Sequence, residues 1–384
     1  MPRKTYLKKI RRIVIKVGSK VLTDGRGRLW PPVFFSLVRQ AVDLIGEQKE
    51  VVLVSSGAIA GGRSILSFQP GTGSIPEKQA LAAVGQTHLM GLYQQALDFY
   101  GRQSAQVLLT RDDLTHRARY LHARNTLFTL LRLGVIPVVN ENDTVMVEEI
   151  KFGDNDNLSA LVAILVEADL LVLLTSAPGL YSDLNGIEEG ALPIPFVERV
   201  TPEIQKMASG PLDELGTGGM VTKLRAVRIA TQAGIPAVIA NGRCEDVMRE
   251  ILAGKPIGTF FAPTRDRLTH KKHWIAYTLR KKGDLVLDEG AVEAIVGRGK
   301  SLLPSGVASV QGNFDNGEMV GCLDPSGREI ARGITHYSAQ EIRRILGKRS
   351  SQIEAVLGYR IQDEIIHRDE LVLMADAAGK ARVG

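Results

Sequence analysis

Two lysines in the sequence stand in contexts that favour the binding of phosphate groups. Lys16 opens the tetrapeptide Lys-Val-Gly-Ser at the end of an apolar run, and Lys223 follows the glycine-rich segment 216–222. Glycine lets backbone amides approach phosphate oxygens, and a lysine supplies charge to a phosphoryl group in transfer. The segment is not a Walker A loop, because the Gly-x-x-x-x-Gly-Lys-Ser/Thr spacing is absent. It predicts a nucleotide loop, with a mobile surface loop as the alternative.

A further glycine-rich stretch, 55–62, follows a second apolar run. Its small residues, hydroxyl groups and free amides are typical of an anion-binding turn between a strand and a helix. The alternative is a tight turn that packs a helix closely against a sheet. The sequence leaves both interpretations open.

Carboxylates and amides are concentrated in two segments, 140–143 (Asn-Glu-Asn-Asp) and 153–157 (Gly-Asp-Asn-Asp-Asn). The first directly follows an apolar strand, and the second precedes a helical pattern. One Asn or Asp is enough to cap a helix, so four leave a surplus that predicts function. Such groups can position a substrate ammonium group, hold Mg²⁺ through water, or orient lysines. Phosphoryl transfer needs positioning and positive charge more than a covalent protein nucleophile.

The elements that must position these residues alternate between strands and helices over the first 260 residues. Strands are predicted at 12–16, 51–54, 107–110, 135–139, 170–175 and 236–240. Helices are predicted at 34–47, 79–83, 89–100, 125–133, 158–167 and 222–233. This alternation predicts an α/β fold, a three-layer sandwich with a mainly parallel sheet and helices on both faces. Ligands of such sheets bind at the carboxyl ends of the strands, where the polar segments fall.

The pattern changes near residue 260, and the sequence predicts four parts. They are a catalytic domain at 8–262, a basic linker at 263–282, a small mostly-β domain at 283–362 and a tail at 363–384. The net charge of +6 is concentrated in residues 1–12 and 265–282, so the remainder is net acidic. This distribution argues against a general polyanion-binding protein and favours local roles or solvated faces for the two basic clusters.

Composition also sets limits on the cellular setting. Hydrophobic residues make up 44% of the 384, but no uninterrupted apolar run reaches the roughly 18 residues of a membrane-spanning helix. The first residues lack the apolar core of a secretory signal. The two cysteines, Cys244 and Cys322, lie far apart, which is typical of a protein of the reducing cytoplasm. A cytoplasmic protein without a membrane partner is therefore expected.

The sequence resembles the amino acid kinase family, in particular its glutamate-phosphorylating members. The matching stretches are 13–19, 54–62, 139–145, 153–160, 175–181 and 216–223. Kinases of carbamate, acetylglutamate, aspartate and uridylate share the architecture, and the segments 140–143 and 153–157 with the C-terminal domain favour glutamate. That domain resembles a PUA domain, a fold shared with RNA-modifying enzymes, at 288–291, 301–304 and 310–314. RNA binding or RNA modification is therefore the rival function.

The resemblance implies that ATP phosphorylates the γ-carboxylate of L-glutamate to L-glutamyl 5-phosphate, the first step of proline biosynthesis. It implies catalytic roles for Lys16, Lys223 and Asp156, and glutamate binding by Ser56, Asp143 and Asn155. The implied ATP-binding residues are Lys16, Thr175, Ser176, Thr217, Gly218, Gly219, Met220, Val221, Thr222 and Lys223.

The resemblance further implies partners and one departure from the family pattern. Mg²⁺ is expected to arrive with ATP rather than on protein ligands, proline to act as a feedback inhibitor, and the chain to form a homo-oligomer. Many members have Thr-Asp where this chain has Thr175 and Ser176. The chain therefore lacks a carboxylate that those members bring to the nucleotide.

Overall fold

The computed structural model describes residues 3–66, 74–145, 155–182, 192–207, 219–264 and 281–374. The chain divides into two compact units, residues 1–114 with 120–267 and residues 115–119 with 268–384. The linker residues 265–280, the tail residues 375–384, and the predicted ATP-binding residues Thr217 and Gly218 lie outside the described ranges. In those ranges no helix combines the length and the apolar character needed to cross a membrane.

The strands up to residue 264 are β1 (Arg12–Val17), β2 (Glu50–Ser55), β3 (Ser104–Leu109), β4 (Ile136–Glu141), β5 (Leu170–Thr175), β6 (Phe196–Val197), β7 (Ala237–Asn241) and β8 (Thr259–Phe261). The helices are α1 (Arg3–Leu7), α2 (Ser19–Leu22), α3 (Pro31–Gly46), α4 (Ala58–Leu66), α5 (Ile75–Asp98), α6 (Arg111–Thr115), α7 (Arg117–Arg132), α8 (Asn155–Leu165), α9 (Pro202–Met207), α10 (Met220–Gln232) and α11 (Val247–Leu252). A 3₁₀ turn covers Asp143–Val145.

The eight strands form one sheet in the order β3-β4-β2-β1-β5-β7-β8-β6. All neighbouring pairs are parallel except β7 and β8, which are antiparallel. The prediction of a mainly parallel α/β sheet is therefore confirmed. Parallel strands present their carboxyl ends at one edge, so the polar residues that follow β1, β2, β4 and β5 share that edge.

The two faces of the sheet are covered by different helices because side chains alternate along each strand. In β1, Ile13, Ile15 and Val17 lie in the core formed with α3, α5 and α11. Val14 lies in the opposite core, formed with α7, α8 and α10. The alternation puts Lys16 on the face of Val14, beneath α8 and α10.

The helix predicted at 125–133 begins at Arg117, as part of α7. Two further helix predictions need correction. The separate helices predicted at 79–83 and 89–100 are one helix, α5, which runs through Gly85. Helix α8 begins at Asn155, so Asn155 and Asp156 form part of its first turn instead of preceding it. In both cases tertiary packing extends a helix through residues of low helix propensity.

The glycines of segment 55–62 serve mainly close packing of α4 on α5. A Cβ atom on Gly62 would lie 2.0 Å from the carbonyl oxygen of Leu81, and one on Gly85 would lie 1.7 Å from that of Ala58. These separations are far below contact distance, so the two helix backbones touch. The tight-packing alternative therefore accounts for Gly62, and the anion-binding interpretation is left with the start of the segment.

Within residues 281–374, the second unit contains a five-stranded sheet and three α-helices. Its strands are β9 (Gly283–Leu287), β10 (Val307–Gly312), β11 (Met319–Leu323), β12 (Glu329–Ile334) and β13 (Leu371–Leu373), and its helices are α12 (Glu289–Val296), α13 (Ala339–Ile345) and α14 (Ile353–Leu357). The strand order is β10-β9-β11-β12-β13, in which only β9 and β11 pair in parallel.

The predicted boundary at residue 362 falls before the end of this sheet. Strand β13 pairs with β12, and Ile365 and Ile366 are buried in the same core. The compact part of the second unit thus continues to residue 373. A strand of three residues is too short to produce a recognisable alternating pattern in the sequence.

We expect Gly85→Ala to destabilise the first unit by about 3 kcal/mol or more, because the new methyl group must separate α4 from α5. Gly91→Ala is the matched control on the same helix, since no atom lies within 4 Å of a Cβ there. That change should stabilise by about 0.5–1 kcal/mol through helix propensity. Urea unfolding followed by circular dichroism measures both. Equal effects of the two substitutions would contradict the packing account.

Candidate active site

The centre of the site is a carboxylate that contacts two lysine ammonium groups. Asp156 pairs with Lys16 through Oδ1, and its Oδ2 lies 3.1 Å from Nζ of Lys223. The hydroxyl of Thr222 donates to the same Oδ2 at 2.9 Å. The side chain of Asp156 is fully buried, and those of Lys16 and Lys223 are 5% and 7% exposed. Three charges are thus withdrawn from water together.

Each member of this cluster is positioned by a different element. Lys16 lies at the carboxyl end of β1, in register with Val54 of β2 and Leu173 of β5. Asp156 is in the first turn of α8, and Lys223 is in the first turn of α10. Both helices cover the sheet face to which Lys16 points. The site therefore forms only when the strand and both helix starts are in place.

Among the described side chains of the cluster, two buried ammonium groups share one carboxylate. These three side chains together carry a net positive charge, which favours an anionic ligand. Burial by itself raises the pKa of Asp156, but the ammonium groups of Lys16 and Lys223 outweigh it and hold the pKa below its usual range. Asp156 is thus ionised at neutral pH, and the excess charge fits an anionic ligand such as a phosphate group.

The start of α10 adds polar groups to the positive side of the site. Gly219 is its N-cap residue, with extended backbone, and Met220 and Val221 are in the first turn. Amides of a first helical turn lack partners within the helix and favour anions. The hydroxyl of Thr222 lies 2.7 Å from the carbonyl oxygen of Gly219 as well as close to Asp156. The side chain of Thr222 therefore connects Gly219, at the start of α10, to the carboxylate of Asp156.

The predicted nucleotide residues after β5 lie at the same edge of the sheet. Thr175 is the last residue of β5 and is half-buried, and Ser176 is exposed. The carbonyl oxygen of Thr175 accepts a hydrogen bond from the amide of Gly242, which follows β7, at 2.9 Å. The polar groups that Thr175 and Ser176 can present to a nucleotide are therefore backbone groups and hydroxyl groups.

On the other side of β1, two of the predicted substrate-binding residues meet. Asn155 donates from Nδ2 to Oγ of Ser56 at 3.3 Å, and the amide of Ser56 donates to the carbonyl oxygen of Val17 at 3.1 Å. Oδ1 of Asn155 is buried without a hydrogen-bond partner among the described residues. This acceptor is free to receive a hydrogen bond from a ligand.

Asp143 lies in a separate cavity of about 220 Å³. The cavity is lined from α5 by Gln86 and Thr87, from β3 by Gln106, and after β4 by residues 141–144. Burial raises the pKa of Asp143 to about 6. A partly desolvated carboxylate of this kind favours a cationic partner, such as a substrate ammonium group.

Two residues of this region were not assigned an individual role from the sequence. Asn140 is 1% exposed and donates from Nδ2 to Oε1 of Gln86 at 2.8 Å, and Gln86 is 8% exposed. Asn140 belongs to the polar segment after β4, so its position was a usable signal. Gln86 has no such signal, because an isolated polar residue in a long helix usually faces solvent.

Comparison with known proteins gives consistent matches over nearly the whole chain. The model of the amino acid kinase family matches residues 11–241, and that of the PUA domain matches residues 283–357. A glutamate 5-kinase of Geobacter sulfurreducens is 50% identical over 372 residues, 97% of this chain and 100% of that protein. A glutamate 5-kinase of Deinococcus radiodurans is 50% identical over 94% of this chain and 100% of that protein. Among solved structures, UMP kinase of Bacillus anthracis superposes with a TM-score of 0.46 at 15% identity, covering 66% of this chain and 97% of that one.

We expect Asp156→Asn to destabilise the first unit by about 3–5 kcal/mol, because two buried ammonium groups lose the carboxylate that they share. Asp43→Asn is the matched control, since Asp43 pairs with Arg39 at 3.3 Å on the exposed side of α3. Its loss should cost at most about 0.5 kcal/mol. Urea unfolding at neutral pH compares the two. Similar losses would show that the buried cluster does not depend on Asp156.

The ionisation of Asp143 should make the folded protein less stable as the pH rises. Because its folded-state pKa is raised to about 6, the folded protein holds a proton that the unfolded chain releases near pH 4. Stability from this group is complete below about pH 4 and is lost as the pH rises through about 6. Asp143→Asn should therefore match the wild type near pH 4 and exceed it near pH 8, measured as the difference in urea midpoint. A difference that stays constant over this range would contradict the buried state of Asp143.

Proposed function

The chain belongs to the amino acid kinase family, and we propose that it transfers the γ-phosphoryl group of ATP to the γ-carboxylate of L-glutamate. This is the reaction of the glutamate 5-kinases that it matches over 97% of its length, and the product, L-glutamyl 5-phosphate, is the first intermediate of proline biosynthesis. The observation that carries the proposal is the buried, net positive cluster of Lys16, Asp156 and Lys223 at the carboxyl edge of the sheet.

The order of the strands supports a layout with ATP on one side of β1 and glutamate on the other. β5 and β7 lie on the side of Thr175, and β2 and β4 lie on the side of Ser56 and Asp143. Neighbouring strands are about 4.8 Å apart, so β4 is about 10 Å from β1. A glutamate molecule with a hydrogen bond at each end spans that distance. Its reacting γ-carboxylate then lies at β1, beside the lysines.

In the transfer, one γ-carboxylate oxygen forms a bond to the γ-phosphorus while the bond from that phosphorus to the β–γ bridging oxygen breaks. ADP takes the electron pair of the broken bond. The carboxylate is already anionic at neutral pH, so no general base is required. Lys16 and Lys223 stabilise the negative charge on the γ-phosphoryl oxygens, which a preorganised cation does without reorganisation. Asp156 holds both ammonium groups in place.

Magnesium is proposed to arrive bound to ATP and is written as part of that substrate. Both oxygens of Asp156 face lysine ammonium groups, so this carboxylate is better suited to orient the lysines than to ligate a metal. Met220, Val221 and Thr222, with Gly219, Thr217 and Gly218, are proposed to bind the nucleotide. Thr175 and Ser176 complete its site through backbone and hydroxyl groups.

Three further properties are proposals that rest on the resemblance and the composition. The chain is proposed to form a homo-oligomer and to function in the cytoplasm, in keeping with its two free cysteines. The second unit, which matches the PUA domain model, is proposed to bind RNA as a secondary property. Binding through phosphate contacts would weaken steeply as salt concentration rises.

An acceptor panel tests the proposed reaction. Release of ADP is followed by a coupled assay with glutamate, acetylglutamate, aspartate, carbamate and UMP as acceptors. We expect turnover with glutamate and at most trace rates with the others. Preference for any other acceptor would overturn the assignment of glutamate while leaving the family unchanged.

Kinetics of single variants should separate the two halves of the site. Lys223→Met should lower kcat about 10²- to 10³-fold with a small change in the KM for glutamate, because its charge acts on the transferring group. Asp143→Asn should instead raise the KM for glutamate about tenfold or more, because the substrate ammonium loses its partner. Lys78→Met, on the exposed side of α5, is the control. Near-normal turnover of Lys223→Met would remove that residue from the catalytic cluster.

Proline is proposed to inhibit by occupying the site of glutamate. It carries the same α-carboxylate and an α-nitrogen cation but lacks the γ-carboxylate, so Asp143 is expected to contact both ligands. Overlap predicts that saturating glutamate overcomes inhibition and that Asp143→Asn weakens both ligands in initial-rate assays. Inhibition that persists at saturating glutamate would indicate a distinct site coupled through conformation.

A further inference from the structure

A chain of side-chain amides connects β4 to α5 beside the cavity that contains Asp143. The backbone amide of Glu141 donates to Oδ1 of Asn140 at 2.9 Å, and Nδ2 of Asn140 donates to Oε1 of Gln86 at 2.8 Å. A backbone N–H group can only donate, so it fixes which end of the Asn140 amide is oxygen. That orientation in turn fixes the Gln86 amide, whose nitrogen is left as the free end.

The unpaired end of the two linked amides, Nε2 of Gln86, is a buried hydrogen-bond donor. Gln86 is 8% exposed, and its Nε2 has no hydrogen-bond partner among the described residues. An unpartnered buried donor costs roughly 1–3 kcal/mol, and such groups are rare in folded proteins. Gln86 also lines the cavity that contains Asp143. A ligand in this cavity that brings an acceptor would therefore remove an existing penalty.

The chemistry of the proposed substrate supplies such an acceptor. The cavity offers a carboxylate on Asp143 and a donor on Gln86, which complement the ammonium and the α-carboxylate of an amino acid. The cavity lies at β3 and β4, about 10 Å from the lysine on β1, so the non-reacting end of glutamate falls here. With the ammonium assigned to Asp143, the α-carboxylate still requires a donor.

We propose that Gln86 is a further substrate-binding residue that donates from Nε2 to the α-carboxylate of the amino acid, and that Asn140 is the positioning residue that orients its amide. This inference rests on the proposed function, because it takes an α-amino acid as the substrate. It makes Gln86 a residue that selects for the α-carboxylate. The competing interpretation is that Gln86 only supports Asn140 within the core.

The test compares two acceptors that differ by one group. 4-Aminobutyrate keeps the amine and the reacting carboxylate of glutamate but lacks the α-carboxylate. Gln86→Glu keeps the oxygen that accepts from Asn140 and replaces the donor with a carboxylate oxygen. We expect kcat/KM for glutamate to fall about 10- to 100-fold, mainly through KM, since a hydrogen bond to a charged group is lost. For 4-aminobutyrate the value should stay the same or rise.

A matched control and a second variant distinguish binding from support of the core. Gln95→Glu makes the same chemical change on the exposed side of α5 and should leave both acceptors unaffected. Asn140→Asp keeps the acceptor for the amide of Glu141 but removes the donor to Gln86, so the Gln86 amide turns its nitrogen toward β4. That variant should show the same loss for glutamate, and combining it with Gln86→Glu should add little further loss.

The outcomes are separable. Equal losses for glutamate and 4-aminobutyrate in Gln86→Glu, or no loss for either, would overturn the proposal. Where turnover of 4-aminobutyrate is too slow to follow, its inhibition constant against glutamate replaces kcat/KM in the comparison. A wild-type protein that does not phosphorylate glutamate would instead overturn the proposed function. The acceptor panel tests that function independently of Gln86.

Discussion

The contact between Asp156 and two lysines is the constraint on which the proposed active site depends. One fully buried carboxylate is set against two ammonium groups that are almost as deeply buried. The carboxylate offsets part of the cost of burying the lysines, and these three side chains together keep a net positive charge. In the proposed reaction, the transferring phosphoryl group brings negative charge next to them. The net positive charge would then favour phosphate binding and stabilise the charge that develops during transfer.

The sheet positions the other residues of the proposed active site around this contact. Because side chains alternate along each strand, Lys16 and Ser56 face α8, whereas Ser55 and Asn140 face α5. The hydroxyl groups of Ser55 and Tyr93 of α5 form a hydrogen bond at 2.9 Å, and Asn140 donates to Gln86 of the same helix. Helix α5 therefore holds the ends of both β2 and β4. Helix α5 also packs closely against α4 at Gly62 and Gly85. This packing helps to fix the position of the residues on the proposed glutamate side.

The sequence was sufficient to predict the parallel sheet and to single out the polar segments that lie at the carboxyl edge of its strands. Apolar strands buried on both faces and a surplus of Asn and Asp produce strong local patterns. The surplus singled out the segment that contains Asp156, and the family resemblance implied the role of Asp156 itself. Gln86 produced no local signal, because its importance comes from an amide partner 54 positions away. The continuity of α5 through Gly85 was missed for a similar reason. Helix-to-helix contact, which is not visible in the sequence, outweighs the low helix propensity of glycine.

The central claim is that an anionic carboxylate of the substrate attacks ATP directly beside the two lysines. It is tested with glutamate labelled with ¹⁸O in both γ-carboxylate oxygens, in the presence of ATP and hydroxylamine. Hydroxylamine displaces phosphate from an acyl phosphate at the carbonyl carbon, so the bridging oxygen leaves with the phosphate. We expect the released inorganic phosphate to carry one ¹⁸O atom per molecule. Phosphate without ¹⁸O would show that water, and not the carboxylate, is the acceptor, and would contradict the account.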